Sequence, residues 1–131
     1  MTKIIPDDRL FSEEHEWVKI QGDEAIFGIS DYAQSCLGDV VYVELPDCGK
    51  EIDQGKAIGV VESVKAVSDI FAPLSGTVLA VNHTIIDTPE QINRDPYGEG
   101  WMLKIKLHDP SQSKKLLNSK AYEELLEKEA K

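Results

Sequence analysis

Lys65 is the side chain whose setting most invites a chemical question. It stands in Glu62-Ser63-Val64-Lys65-Ala66-Val67-Ser68-Asp69, between two segments rich in Val, Ile and Phe, Ile58 to Glu62 and Val67 to Phe71, that read as strands. A lone lysine between strands is ordinarily a solvated turn residue, and this turn lacks the Asn-Gly or Pro-Gly pair that would fix a hairpin tip at Lys65. At a protruding tip, however, the ε-amine can be reached by a modifying enzyme. Acylation there removes the charge and leaves a flexible stem, so that a rigid hairpin sets the origin of an arm and the arm supplies the reach. A competing chemistry makes Lys65 a Schiff-base nucleophile, which requires a lysine desolvated in a pocket. A third reading leaves Lys65 unmodified in an interaction module.

The other reactive side chains form no constellation along the chain. His15, His83 and His108 are far apart in sequence and read as surface or packing residues. Glu13, Glu14 and Glu16 make an acidic cluster near a strand start, which reads as a solvated edge that discourages strand pairing. Cys36 and Cys48 lack metal-type spacing; they read as two small residues of a reducing compartment, with a single disulfide or a redox pair as the alternative. No Gly-rich loop follows a strand and opens a helix, so a phosphate-binding loop is not indicated.

The elements that must position Lys65 come from a chain of 131 residues, 41% hydrophobic, with a formal net charge of -10. That length suggests a single domain over 1–131 able to bury a core without disulfides or metal. The charge repels nucleic acid and anionic lipid and favours docking against basic faces of other proteins, so neither nucleic acid nor membrane is an expected partner. No apolar run approaches membrane-spanning length, and Met1 to Pro6 lacks the features of a signal or transit peptide. A cytoplasmic protein is the expectation, with a processed organellar form as the alternative.

Strands are expected at His15 to Ile20, Ala25 to Ile29, a well-buried Val40 to Leu45, Ile58 to Glu62, Val67 to Phe71, Thr77 to Val81 and Trp101 to Leu107. Ser30 can cap a short helix over Asp31 to Leu37 that Gly38 ends. Asn82 to Gly100 reads as a long loop with at most a helical turn near Pro89 to Asn93. After Asp109-Pro110-Ser111, apolar pairs at Leu116/Leu117, Ala121/Tyr122 and Leu125/Leu126 predict an amphipathic helix over about 111–129, with Asn118 as its one point of interruption. Short strands with regular turns point to a mainly β barrel or sandwich with helices at the margins.

Several stretches, in order, resemble the glycine cleavage H-protein family. They are Glu14-His15-Glu16-Trp17-Val18, Gly28-Ile29-Ser30-Asp31-Tyr32-Ala33-Gln34, Leu37-Gly38-Asp39-Val40-Val41-Tyr42-Val43-Glu44-Leu45-Pro46, Glu62-Ser63-Val64-Lys65-Ala66, Asp69-Ile70-Phe71-Ala72-Pro73-Leu74-Ser75-Gly76 and Asn93-Arg94-Asp95-Pro96-Tyr97-Gly98-Glu99-Gly100-Trp101. The resemblance runs over nearly the whole chain, the terminal helix included. It also separates this chain from related lysine carriers. Biotinyl carriers place methionines beside the lysine, where Val64 and Ala66 stand here; lipoyl domains of 2-oxo acid dehydrogenases place Asp where Val64 stands. One departure is Asn82-His83-Thr84-Ile85-Ile86-Asp87-Thr88, less acidic than in the family.

The resemblance implies a barrel-sandwich hybrid of two small antiparallel sheets with Lys65 on an exposed hairpin. It implies a non-catalytic carrier, expected to be a monomer, with lipoic acid joined covalently to Lys65. That arm would carry an aminomethyl group from glycine decarboxylase (P protein) to aminomethyltransferase (T protein) and be reoxidised by dihydrolipoyl dehydrogenase (L protein). It further implies that Glu62 serves recognition by lipoylating enzymes, and that Glu14, Glu16, Cys36 and Asp69 line a cleft sheltering the loaded arm, since excluding water suppresses side reactions. The alternative role is a lipoyl donor to other lipoyl-dependent complexes.

Overall fold

Residues 5–129 are described by a computed structural model. In chain order they form β1 (Leu10–Phe11), β2 (Glu16–Gln21), β3 (Glu24–Ile29), α1 (Asp31–Leu37), β4 (Val40–Glu44), β5 (Glu51–Ile52), β6 (Ala57–Ser63), β7 (Val67–Phe71), β8 (Gly76–Val81), α2 (His83–Asp87), α3 (Gln91–Arg94), β9 (Leu103–Leu107) and α4 (Ser119–Glu129). The strands make two antiparallel sheets, a six-stranded one in the order β1-β2-β3-β9-β8-β5 and a three-stranded one in the order β4-β6-β7. The fold is thus mainly β with short helices at its margins, and the larger sheet is wider than two small sheets would suggest.

Alternation of side chains gives each sheet a buried face. In β9, Leu103, Ile105 and Leu107 point inward while Lys104 and Lys106 point out. Between the sheets they meet Val18, Phe27, Val43, Val61, Ile70, Leu74 and Val78 in one continuous core. A second cluster of Phe11, Trp17, Tyr122 and Leu126 seats α4 on the β1–β2 end.

Three expectations change, and two short strands are new. β4 is not well buried: Val40 and Val43 are inside, but Val41 and Tyr42 are 55% and 45% exposed. β4 is an edge strand, and its register with β6 slips between Val40 and Tyr42, so a bulge turns two successive residues outward. The loop after Asn82 contains α2 as well as α3. The Asn82 side chain accepts the Thr84 N–H at 3.1 Å and caps α2, and the fully buried Ile85 and Ile92 close one end of the core. The terminal helix does not run over 111–129. Pro110–Lys115 is a 3₁₀ segment, Leu117 pairs as a bridge with Phe11, and α4 starts only at Ser119. Leu117 exchanges both backbone bonds with Phe11, at 2.7 and 2.8 Å, which helical backbone could not do, and Asn118 then caps α4 through the Ala121 N–H at 2.8 Å. Finally, β1 and β5 are two residues each, too short to leave a periodic signal.

Candidate functional site

Lys65 lies at the exposed turn joining β6 to β7. Ser63 does what an Asn-Gly pair would otherwise do. Its Oγ accepts the Ala66 N–H at 3.0 Å and the Lys65 N–H at 3.3 Å, while its own N–H donates to Ala66 O at 2.8 Å. The tip is also fastened sideways, because Val64 N–H donates to Asp39 O at 3.0 Å. Beneath it, Gly38 ends α1 with φ 81° and ψ -157°, a conformation that favours glycine. A Cβ built on Gly38 would stand 3.4 Å from Lys65 Cε, so the lysine stem lies across the end of α1. Asn93 of α3 locks this crossover: its Nδ2 donates to Gly38 O and Gln34 Oε1, each at 2.9 Å, and its Oδ1 accepts the Val40 N–H at 2.9 Å. Sequence reasoning missed Ser63 and Asn93, although both stand inside motifs quoted above.

A cleft of about 190 Å³ opens beside the hairpin, beginning at the second rung below the turn, Val61↔Ser68. Glu14, Glu16, Cys36 and Asp69 all line it, so three chain segments bring these four residues together. Its apolar surface comes from Ile29, Ala33, Leu37, Val61 and Ile70. Glu62 does not line the cleft; it sits on the sheet in register with Tyr42 and Val67, close to the turn.

Glu16 departs most from expectation. The acidic cluster read as a solvated edge, yet Glu16 is only 2% exposed. It lies between the sheets, where the Ser12 hydroxyl donates to its Oε1 and the Phe71 N–H donates to its Oε2 at 3.3 Å. Burial pushes its pKa up to about 8 against an ordinary 4.5; the two hydrogen bonds oppose this, and the nearby Glu14 charge adds to it. The cleft therefore presents a carboxyl able to hold a proton near neutral pH.

Of the histidines, His15 packs against Tyr32 and Tyr122. His108 meets Thr77 and Glu51 on the surface, and His83 opens α2. Cys36 and Cys48 are free and exposed, so the disulfide alternative is not realised. No group of three His, Cys, Asp or Glu that could hold a metal ion exists among the described residues, and no helix among them is long and apolar enough to cross a membrane. The exposed Lys65 does not meet the desolvation that a Schiff-base nucleophile requires.

A lipoyl arm fits this arrangement: its hydrocarbon part matches the apolar cleft wall, and an amine carried at its end matches the carboxyls. The model of the family described as "Glycine cleavage H-protein" matches residues 9–129. The chain is 49% identical to the glycine cleavage system H protein of Carboxydothermus hydrogenoformans, with 96% of this chain and 97% of that one covered. It is 50% identical to the glycine cleavage system H protein of Thermus thermophilus, with 96% and 98% covered. In structure it is similar to a glycine cleavage system H protein from Mycobacterium marinum, at a TM-score of 0.81 and 35% identity over 97% of this chain and all of that one. With a family match over nearly the whole chain, and relatives about half identical along nearly their full lengths, this chain belongs to the glycine cleavage H-protein family.

Proposed function

We propose that Lys65 is the attachment point of a lipoyl amide and that the chain works, without catalysis of its own, as the lipoyl-carrying shuttle that its family membership entails. The observation that carries this reading is the position of Lys65: exposed, on a turn fastened by Ser63 and Asp39, one rung from a cleft lined by Glu14, Glu16 and Asp69. When bound, the lipoyl group supplies a disulfide that can take up a one-carbon amine at one partner and release it at others.

The chain's own residues do the rest. The hairpin fixes the origin of the arm. Ile29, Leu37, Val61 and Ile70 exclude water from its hydrocarbon part, the carboxylates of Glu14 and Asp69 receive a positive charge at its end, and the Glu16 carboxyl, protonated near neutral pH, offers a hydrogen-bonding group without charge. Cys36 completes the wall. Glu62, beside the turn but outside the cleft, is free to be read by a lipoylating enzyme. The P, T and L proteins are the expected partners, approached through the acidic surface, and a cytoplasmic location belongs to the same proposal.

The test is Lys65→Arg. Arginine keeps the charge and most of the length but cannot form the lipoyl amide. The variant should melt as the parent does, take up no lipoyl mass, and fail to support glycine cleavage with purified P, T and L proteins. Lipoyl mass on another lysine, or glycine cleavage by the variant, would refute the assignment.

A further inference from the structure

The walls of the cleft are held by an element that does not line it. Tyr122, near the start of α4, stacks on Phe11 with ring centroids 4.3 Å apart and planes nearly parallel. Its hydroxyl lies 2.7 Å from Ser30 Oγ and 2.9 Å from His15 Nδ1. Ser30 is the N-cap of α1, where its Oγ accepts the Ala33 N–H at 3.1 Å. His15 Nε2 meets Glu129 Oε1, at the far end of α4, at 3.0 Å. One arrangement of protons satisfies every group: Ser30 donates to the Tyr122 oxygen, Tyr122 donates to Nδ1, and the Nε2–H donates to Glu129. Burial pushes the Tyr122 pKa well up, so the hydroxyl stays a protonated donor.

His15 is the joint through which this acts. It holds φ at 70°, alone among the described non-glycine residues in having a positive φ, and such a conformation persists only where surrounding contacts impose it. Its ring rests on Tyr32 of α1 at 5.0 Å between centroids, its carbonyl accepts the Ser30 N–H at 2.9 Å, and its neighbours Glu14 and Glu16 both face the cleft. Tyr122 thus touches the segment carrying the acidic wall and the cap of the helix forming the opposite wall.

We propose that Tyr122 is a positioning residue, whose hydroxyl ties His15 and Ser30 to α4 and so holds the acidic wall and the α1 wall of the cleft in place for the Lys65 arm. The consequence for the arm rests on the proposed carrier role of Lys65; the tie itself is a property of the unmodified chain, so the two can fail separately.

Tyr122→Phe keeps the ring stack and removes both bonds. In the unmodified variant, the Phe71 amide, bonded to Glu16, and the Ala33 amide, bonded to Ser30, should exchange with solvent about tenfold faster, while the Ile105 amide in the core keeps its rate. In the lipoylated and reduced variant, iodoacetamide should alkylate the arm's thiols about tenfold faster than in the parent, because a loosened cleft exposes them. Glu129→Ala, at an exposed helix end, cuts only the His15 Nε2 bond; it should speed Phe71 exchange by a smaller factor and leave Ala33 unchanged. Unchanged exchange at Phe71 and Ala33 overturns the tie. So does an equal rise at Phe71, Ala33 and Ile105, which would make the hydroxyl a general stabiliser. Faster local exchange with unchanged arm alkylation upholds the tie and removes the sheltering role of the cleft instead.

Discussion

Glu16 shows how a single side chain acquires its properties from its surroundings. The four residues before it, Ser12 to His15, are polar, yet its strand position turns it into the space between β2 and β7, where it meets Ser12 and the Phe71 N–H. Burial raises the folded-state pKa to about 8 against about 4.5 in the unfolded chain, so over that interval the folded state holds a proton that the unfolded state lacks. The stabilisation is full below about pH 4.5, fades as pH rises and is gone once pH passes about 8. Glu16→Gln, neutral at every pH, should therefore melt close to the parent at pH 4.5 and be more stable by on the order of a few kcal/mol at pH 9, which a pair of thermal melts measures. Equal pH dependence in both proteins would show that Glu16 is ionised in its site. Glu62 is the contrasting case, a partly exposed carboxylate without a buried partner. Glu62→Ala should change stability by less than about 0.5 kcal/mol while slowing lipoylation severalfold, read as the initial rate of mass gain with a purified lipoylating enzyme. A normal rate would remove Glu62 from recognition.

At the level of elements, the three-stranded sheet is what presents the lysine, and its geometry depends on a close approach between β4 and β6. A Cβ built on Gly59 would lie 2.2 Å from Glu44 O, a backbone atom that cannot swing aside. Gly59→Ala should thus cost about 2 kcal/mol or more by forcing the two strands apart, seen as a lower urea midpoint. Because Val64 is tied to Asp39 at the start of β4, the same variant should loosen the turn and speed exchange of the Ala66 amide. A midpoint equal to the parent's would mean the strands separate without cost. The hairpin strands were legible from their Val and Ile content, and α1 from Ser30 and Gly38. The tip was not, because Ser63 closes it with a side-chain bond that has no dipeptide signature. The interruption before α4 was legible at Asn118, but the extended pairing of Leu117 was not, since the Leu116-Leu117 pair fits helical spacing and only the presence of β1 opposite Leu117 draws it into a bridge.

For the molecule as a whole, net charge of -10 on so short a chain should steer encounters with partners that carry basic faces. Steering acts on association and is screened over a Debye length of about 10 Å at 0.1 M salt. Association with the aminomethyltransferase, followed by stopped flow across a sodium chloride series, should slow as salt rises while dissociation changes less. A flat association rate would leave the charge a role in solubility alone. The sequence by itself determined the longer strands and α1, the acidic character and, through motifs spread over its length, the family and with it Lys65 as the proposed attachment point, since propensity, charge and motif order are properties of the chain in one dimension. The cleft shared by Glu14, Glu16, Cys36 and Asp69 was expected from the family resemblance alone and from no pattern in the chain; only the tertiary structure decided that Glu16 is buried and protonatable and that α4 reaches back to His15. Those facts depend on which segments, far apart in the chain, exclude water from one another, and a linear pattern does not encode that distance.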